Sequence, residues 1–159
     1  MLVSGLLRGA TIVLLDGNPA HPDIDWVWRA AAENKVSVLA LGAAYAYASM
    51  RAQLLRPMTD HDLSALQMIQ VTGSPLASDA YRRVYDAVGP VWLASFSGGT
   101  DIAGIFLGGA PTEPVRLGRL QPPALGVAAA WDADGHPVVG RPGELVITSP
   151  IPSKTVVPQ

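Results

Sequence analysis

The sequence predicts an α/β fold: a mainly parallel sheet with helices on both faces, followed by a small antiparallel β subdomain. Two observations lead to this prediction. Up to Ile102, largely apolar, β-branched runs alternate with segments of helical periodicity, and most of these runs lack the strict apolar–polar alternation of strands exposed on one face. Beyond Ile102 the helical periodicity ends, and Gly and Pro recur between short strand-like segments.

The α/β part is predicted to contain four strands separated by helices. The predicted strands are Thr11–Leu15, Val36–Leu41, Leu66–Val71 and Val91–Ser95, and the helices run from Asp23 to Asn34, from Gly42 to Arg56 and from Ser78 to Val88. A helix between consecutive strands is the usual connection of parallel strands. The carboxyl ends of these strands should therefore share one edge of the sheet, which is where open α/β folds bind ligands.

The second part of the chain is predicted to form short antiparallel strands. They are Gly126–Trp131, His136–Val139 and Gly143–Ile147, and the first two are joined by Asp132–Gly135, a good hairpin turn. We place the boundary so that residues 1–107 form the α/β subdomain and residues 108–159 form a small, incomplete β subdomain.

Composition excludes several classes of protein. The chain has 159 residues, of which 49% are hydrophobic and 15% charged, so it can bury a sizeable core. With a net charge of -2 and scattered basic residues, the chain has no positively charged patch that would bind nucleic acid or an anionic membrane. Its longest uncharged stretch, Val36–Met50, is shorter than the ~18 residues of a membrane-spanning helix. The absence of cysteine excludes disulfides and thiolate nucleophiles and is compatible with a cytoplasmic location, which we expect.

Two polar turns follow predicted strands and are the candidate ligand site. Thr72–Leu76 follows the third strand and offers a glycine and a proline ring, whereas Phe96–Ile102 follows the fourth. In the second turn, glycines allow close backbone approach, the Thr100 hydroxyl can donate to a phosphate oxygen, and the Asp101 carboxylate can hold magnesium. Taken alone, such Ser/Gly/Thr/Asp runs are also typical of plain turns.

Other common sites have no match in the sequence. It has no Walker phosphate loop, no dinucleotide fingerprint and no serine nucleophile elbow, and its three histidines form no pair at metal-ligand spacing. The two lysines, Lys35 and Lys154, fall at an apparent helix end and in the tail. What remains is two turns at one sheet edge, a combination that suits a nucleotide.

Several motifs, in order and spacing, resemble the adenylate-forming acyl-CoA synthetase superfamily, and most closely its acetoacetyl-CoA synthetase branch. They are Thr72-Gly73-Ser74-Pro75-Leu76, Ser97-Gly98-Gly99-Thr100-Asp101-Ile102, and Gly143-Glu144-Leu145-Val146 followed by Pro150-Ile151-Pro152-Ser153. The resemblance extends from Leu2 to about Ser153. It implies an acid-thiol ligase that forms an acyl-adenylate from ATP and then an acyl-CoA, with acetoacetate or a similar short carboxylic acid, ATP and CoA as substrates.

The resemblance also implies roles for individual residues. Gly73, Ser74 and Pro75 would line the adenine and ribose, and Ser97 stands where most relatives carry an aromatic residue beside the adenine. Gly98 and Gly99 would also bind the nucleotide. Thr100 would hydrogen-bond the α-phosphate, and Asp101, where most relatives carry glutamate, would bind magnesium. Arg119 stands where the branch carries glutamate.

The resemblance further implies that this chain is a central fragment. The phosphate loop would lie upstream of Met1, and the ribose-binding aspartate and adenylation lysine would lie beyond Gln159. We therefore expect the isolated chain to be inactive. The alternative is a catalytically silent remnant or a nucleotide-binding module of the same fold.

Overall fold

The computed structural model describes residues 2–52, 57–100, 102–122, 128–151 and 153. Its helices are α1 (Leu2–Leu7), α2 (Trp26–Glu33), α3 (Ala43–Arg51), α4 (Pro57–Asp60) and α5 (Ser78–Val88). Its strands are β1 (Val38–Gly42), β2 (Met68–Thr72), β3 (Trp92–Ser95), β4 (Ser97–Gly99), β5 (Gly104–Leu107), β6 (Ala128–Trp131), β7 (Pro137–Val138) and β8 (Glu144–Ile147).

The first sheet has three strands in the order β1-β2-β3, and both pairings are parallel. Its register places Leu39 beside Ile69 and Ile69 beside Leu93. All three side chains are buried, because they share the face against which the helices pack. The predicted fold class, an α/β fold with a parallel sheet and a separate antiparallel sheet, is confirmed.

The main core lies on that face of the sheet. Helices α2, α3 and α5 contribute to it, with Trp28 and Tyr81 each only 1% exposed. The opposite face is covered unevenly, since Ala94 is buried whereas Val38 is 49% exposed. In β1 buried and exposed residues alternate, so its continuous apolar sequence overstated its burial.

The prediction of a strand at Thr11–Leu15 is wrong. The segment belongs to no strand, and Leu14 is 69% exposed. An apolar β-branched run becomes a strand only when a neighbouring strand satisfies its backbone hydrogen bonds. Among the described residues, no strand pairs with this segment.

The antiparallel parts follow the α/β part. Strands β4 and β5 form a hairpin that the sequence had placed in a loop, and a separate sheet has the order β7-β6-β8. The predicted turn at Asp132–Gly135 is confirmed by a hydrogen bond of 3.1 Å from the Gly135 N–H to the Asp132 carbonyl oxygen. Of the helices in the described ranges, none is long and apolar enough to cross a membrane.

Candidate functional site

An open cavity of about 240 Å³ lies where β2 and β3 end. It is lined by Thr72, Gly73, Ser74, Pro75, Ser95, Phe96, Ser97, Gly98 and Leu120. Because β2 and β3 are parallel neighbours, their carboxyl ends bring the two polar turns together at one edge of the sheet. The fold thus forms the cavity from segments that are distant in sequence.

The two turns are tied to each other by hydrogen bonds. The Thr72 hydroxyl donates to the Phe96 carbonyl oxygen at 3.3 Å, and the Phe96 N–H donates to the Val71 carbonyl oxygen at 2.8 Å. Directly after Thr72 the chain turns at Gly73, whose φ of +95° favours glycine. These hydrogen bonds therefore extend the β2–β3 pairing to the edge of the cavity.

A tyrosine of α3 holds the other end of the first turn. The Tyr47 hydroxyl accepts a hydrogen bond from the Ala77 N–H at 2.8 Å and donates one to the Pro75 carbonyl oxygen at 3.4 Å. Ala77 is the residue immediately before α5. The turn is thus attached to β3 at its start and to α3 at its end.

The second turn lies against the β4–β5 hairpin. A side chain at Gly98 would come closer than 3.0 Å to the Gly104 carbonyl oxygen, so only glycine fits between the two strands. Gly108 allows equally close packing of the Phe96 ring, since a Cβ there would overlap the ring. Gly98 and Gly108 therefore allow the close packing that positions the second turn beside the cavity.

A buried hydroxyl borders the cavity. Ser95 is 5% exposed, and within the part of the chain that the structure describes its Oγ has no hydrogen-bond partner of normal geometry. Burial raises the pKa of the nearby Tyr81 hydroxyl, and the contact with Ser95 opposes that rise. The Ser95 Oγ is fully buried and lies beside the Tyr81 hydroxyl.

The lining residues are all uncharged. They offer hydroxyls, backbone groups, a proline ring and an aromatic ring, which suit a heterocyclic base or a sugar better than a polyphosphate. The volume is below the ~300–1,000 Å³ of typical small-molecule pockets, which again fits part of a ligand. The described lining of this cavity contains no acid, base or cation for catalysis.

The structure brings together many of the predicted site residues. Those that line the cavity are Gly73, Ser74, Pro75, Ser97 and Gly98. Gly99 and Thr100 are described but lie outside the lining, and Asp101 lies outside the described residues. In the described ranges no group of three or more His, Cys, Asp or Glu could hold a metal ion.

Thr72 and Phe96 belong to the two predicted turns, although neither had an individual role. The sequence-based prediction did not include the other two lining residues, Ser95 and Leu120. For Ser95 a signal existed, because it is the polar last residue of an apolar strand and immediately precedes the loop. Leu120 carries no local signal, since only the fold brings its segment back to the cavity.

Comparison with known proteins agrees with the overall fold. The family described as AMP-binding enzyme matches residues 1–156. An acetoacetyl-CoA synthetase from Streptomyces lividans superimposes with a TM-score of 0.87 at 45% identity, over 96% of this chain and 24% of that one.

Two relatives compared by sequence carry the same name. The acetoacetyl-coenzyme A synthetase of Rhizobium meliloti (strain 1021) is 43% identical over 98% of this chain and 24% of its own length. For the acetoacetyl-CoA synthetase of Gallus gallus the identity is 42%, over 95% of this chain and 23% of the relative. The chain therefore spans about a quarter of the length of the relatives that it matches.

Proposed function

The chain belongs to the family of AMP-binding enzymes, and we propose on that basis that it is part of an ATP-dependent acid-thiol ligase of acetoacetyl-CoA synthetase type. The observation that carries the proposal is the cavity at the ends of β2 and β3, where two turns of the family's sequence pattern meet. Its uncharged lining is suited to the adenosine part of ATP. We also propose a cytoplasmic location, with which the lack of cysteine in this chain is compatible.

We assign the adenosine-binding role to the first turn and the start of the second. Gly73, Ser74 and Pro75 would contact adenine and ribose from one side, and Ser97 and Gly98 would do so from the other. Gly99 would bind the nucleotide just beyond this lining. Thr100 follows this wall in sequence, and its hydroxyl would donate to the α-phosphate. Asp101 would bind magnesium, which supplies charge neutralisation at the phosphates.

The proposed reaction has two steps. A carboxylate oxygen of acetoacetate, or of a similar short acid, attacks the α-phosphorus of ATP, and the bond between the α- and β-phosphates breaks to release pyrophosphate. The thiolate of CoA then attacks the acyl carbon, and AMP leaves with the electron pair of the broken C–O bond. Charge builds up on the α-phosphate in the first step, so a donor placed there in advance, such as Thr100, lowers the barrier.

We propose that the isolated chain does not catalyse this reaction. A triphosphate needs several cationic and backbone donors, whereas the described lining of the cavity is uncharged. AMP or ATP should bind weakly, with a Kd far above micromolar. Sub-micromolar affinity, equivalent to about -8 kcal/mol, would contradict this.

Acetoacetate-dependent exchange of pyrophosphate into ATP tests the proposal. We expect no exchange by the 159-residue chain. A chimaera in which residues 1–159 replace the matching segment of the Rhizobium meliloti relative should be active. Thr100→Val or Asp101→Ala in the chimaera should lower the rate about a hundredfold, the typical loss of one such electrostatic contact.

Thr112→Val is the matched control, because Thr112 is exposed in a turn and does not belong to the cavity lining. It should leave exchange unchanged. Exchange by the short chain would refute our description of it as catalytically incomplete. An active chimaera indifferent to Thr100→Val and Asp101→Ala would remove the roles given to those residues.

The second candidate is a nucleotide-binding module without chemistry. The uncharged lining favours it, because binding an adenosine group needs no catalytic residue. A chimaera that is folded by circular dichroism but inactive, combined with AMP-induced shifts of the Gly73 and Ser97 amides in the short chain, would support this candidate. AMP binding elsewhere would contradict both.

A further inference from the structure

We propose that Tyr47 is a positioning residue that holds the Gly73–Pro75 turn in the conformation that binds the adenosine group. The inference rests on the proposed function for the identity of the ligand. Tyr47 does not line the cavity and lies on a different element, α3, so its effect on the ligand is transmitted through the turn. The two hydrogen bonds of its hydroxyl carry the proposal.

The hydroxyl bridges two backbone groups that lie on either side of Leu76. It accepts from the Ala77 N–H at 2.8 Å and donates to the Pro75 carbonyl oxygen at 3.4 Å. A phenylalanine ring would keep the packing of the ring but lose both bonds. The direction of the Pro75 carbonyl, and with it the shape of the turn, would then be held less tightly.

Helix α3, which carries this hydroxyl, is packed into the core. Ala43, Tyr45, Ala46 and Ser49 are buried, and Ser49 is fixed by a hydrogen bond of 3.1 Å from its Oγ to the Ala46 carbonyl oxygen. Tyr47 itself packs at the margin of the main core. A group held in this way can restrain a turn without moving along with it.

The turn needs such a restraint because its own residues supply little. Gly73 has wide conformational freedom, and Pro75 has no N–H with which to form a backbone hydrogen bond. At the start of the turn, Thr72 is tied to Phe96. The Tyr47 hydroxyl provides the corresponding hydrogen bonds at the end of the turn. Held at both ends, the Gly73–Pro75 turn lines the cavity together with Ser97 and Gly98.

The same helix offers a matched control. Tyr45 is also a tyrosine whose hydroxyl donates to a backbone carbonyl, that of Ile24 at 2.7 Å, but this bond points away from the turn. Tyr45→Phe and Tyr47→Phe therefore remove comparable groups from one helix. Only the second should affect the turn.

The experiment measures amide hydrogen exchange and AMP binding by NMR on the full 159-residue chain. In Tyr47→Phe we expect the Ala77 amide to exchange about five- to tenfold faster than in the parent, the usual effect of one lost hydrogen bond. We also expect the AMP-induced shifts of the Gly73 and Ser74 amides to saturate at about fivefold higher AMP concentration. Tyr45→Phe should match the parent in both measurements.

Two results would overturn the inference separately. An Ala77 amide that exchanges at the parent's rate in Tyr47→Phe would show that the hydroxyl does not hold the turn, whatever the AMP affinity of the variant. Faster exchange at Ala77 with unchanged AMP affinity would show that the turn is held but that its restraint does not matter to the ligand. Absence of AMP-induced shifts in the parent itself, up to millimolar AMP, would instead refute the adenosine-binding role proposed for the two turns and, with it, the ligand part of this inference.

Discussion

Replacing Gly98 by alanine should separate the β4–β5 hairpin and destabilise the protein. The new methyl group would lie closer than 3.0 Å to the Gly104 carbonyl oxygen and 3.1 Å from the Ile105 Cα. Both are backbone atoms, so no side chain can rotate out of the way. The clash can be relieved only by moving β5 away from β4, and Gly98 pairs directly with Ile105 in that hairpin.

The expected cost follows from this movement. Inserting a methyl group where the surroundings cannot yield typically costs about 1–3 kcal/mol. For a chain of this size each kcal/mol lowers the melting temperature by roughly 2–4 °C. We therefore expect Gly98→Ala to melt about 5 °C below the parent, as followed by circular dichroism, and to bind AMP more weakly because Gly98 lines the cavity.

The neighbouring glycine provides the control. At Gly99, the one neighbour among the described residues that an added Cβ would meet is the Ile102 Cγ1, at an ordinary 3.9 Å. Gly99→Ala should therefore change the free energy of unfolding by no more than about 0.5 kcal/mol. Equal melting temperatures for Gly98→Ala and Gly99→Ala would refute the argument that the close approach of β4 and β5 requires glycine at position 98.

Two further predictions concern the core and the alkaline range. Leu93 is fully buried in the main core, so Leu93→Ala should lower the free energy of unfolding, measured with urea, by about 2–5 kcal/mol. Leu14 is 69% exposed, so the control Leu14→Ala should change it by less than about 0.5 kcal/mol. Burial, with smaller contributions from Asp25 and Asp23, raises the pKa of Tyr45 above its ordinary value near 10. Since the folded-state pKa exceeds the unfolded one, the stability from this group is complete below about pH 10 and is lost as the pH rises beyond it. Tyr45→Phe should flatten the fall in unfolding free energy between pH 9 and pH 12, and an unchanged slope would contradict this.

Local sequence was sufficient for the parts of the fold that depend on local signals. Helix α5 ends before Gly89, whose φ of +85° favours glycine, and β2 and β3 are apolar runs bounded by turns. The other end of α5 also lies where the sequence predicts it, because the predicted helix and α5 both begin at Ser78.

The remaining features depend on contacts between distant segments. Thr11–Leu15 has the composition of a strand, but composition cannot supply a partner strand. Conversely, Ser97–Gly99 has poor strand propensity and still pairs, because Gly98 permits the close approach of Gly104. The same reasoning applies to the cavity: its two turns could be predicted, whereas the contributions of Leu120 and the Tyr47 hydroxyl depend on tertiary contacts that only the structure shows.

The parallel pairing of β1, β2 and β3 has a consequence for the order of folding. Each pairing joins residues far apart in sequence, such as Val38 with Met68, so loop-closure entropy has to be overcome before any ladder hydrogen bond is gained. The helices, whose contacts are local, can form sooner. The cavity needs both turns, and these meet only once β2 and β3 have paired, so it should be among the last features to form. A ligand that binds there would thus select the fully folded chain and slow its unfolding rather than speed its folding.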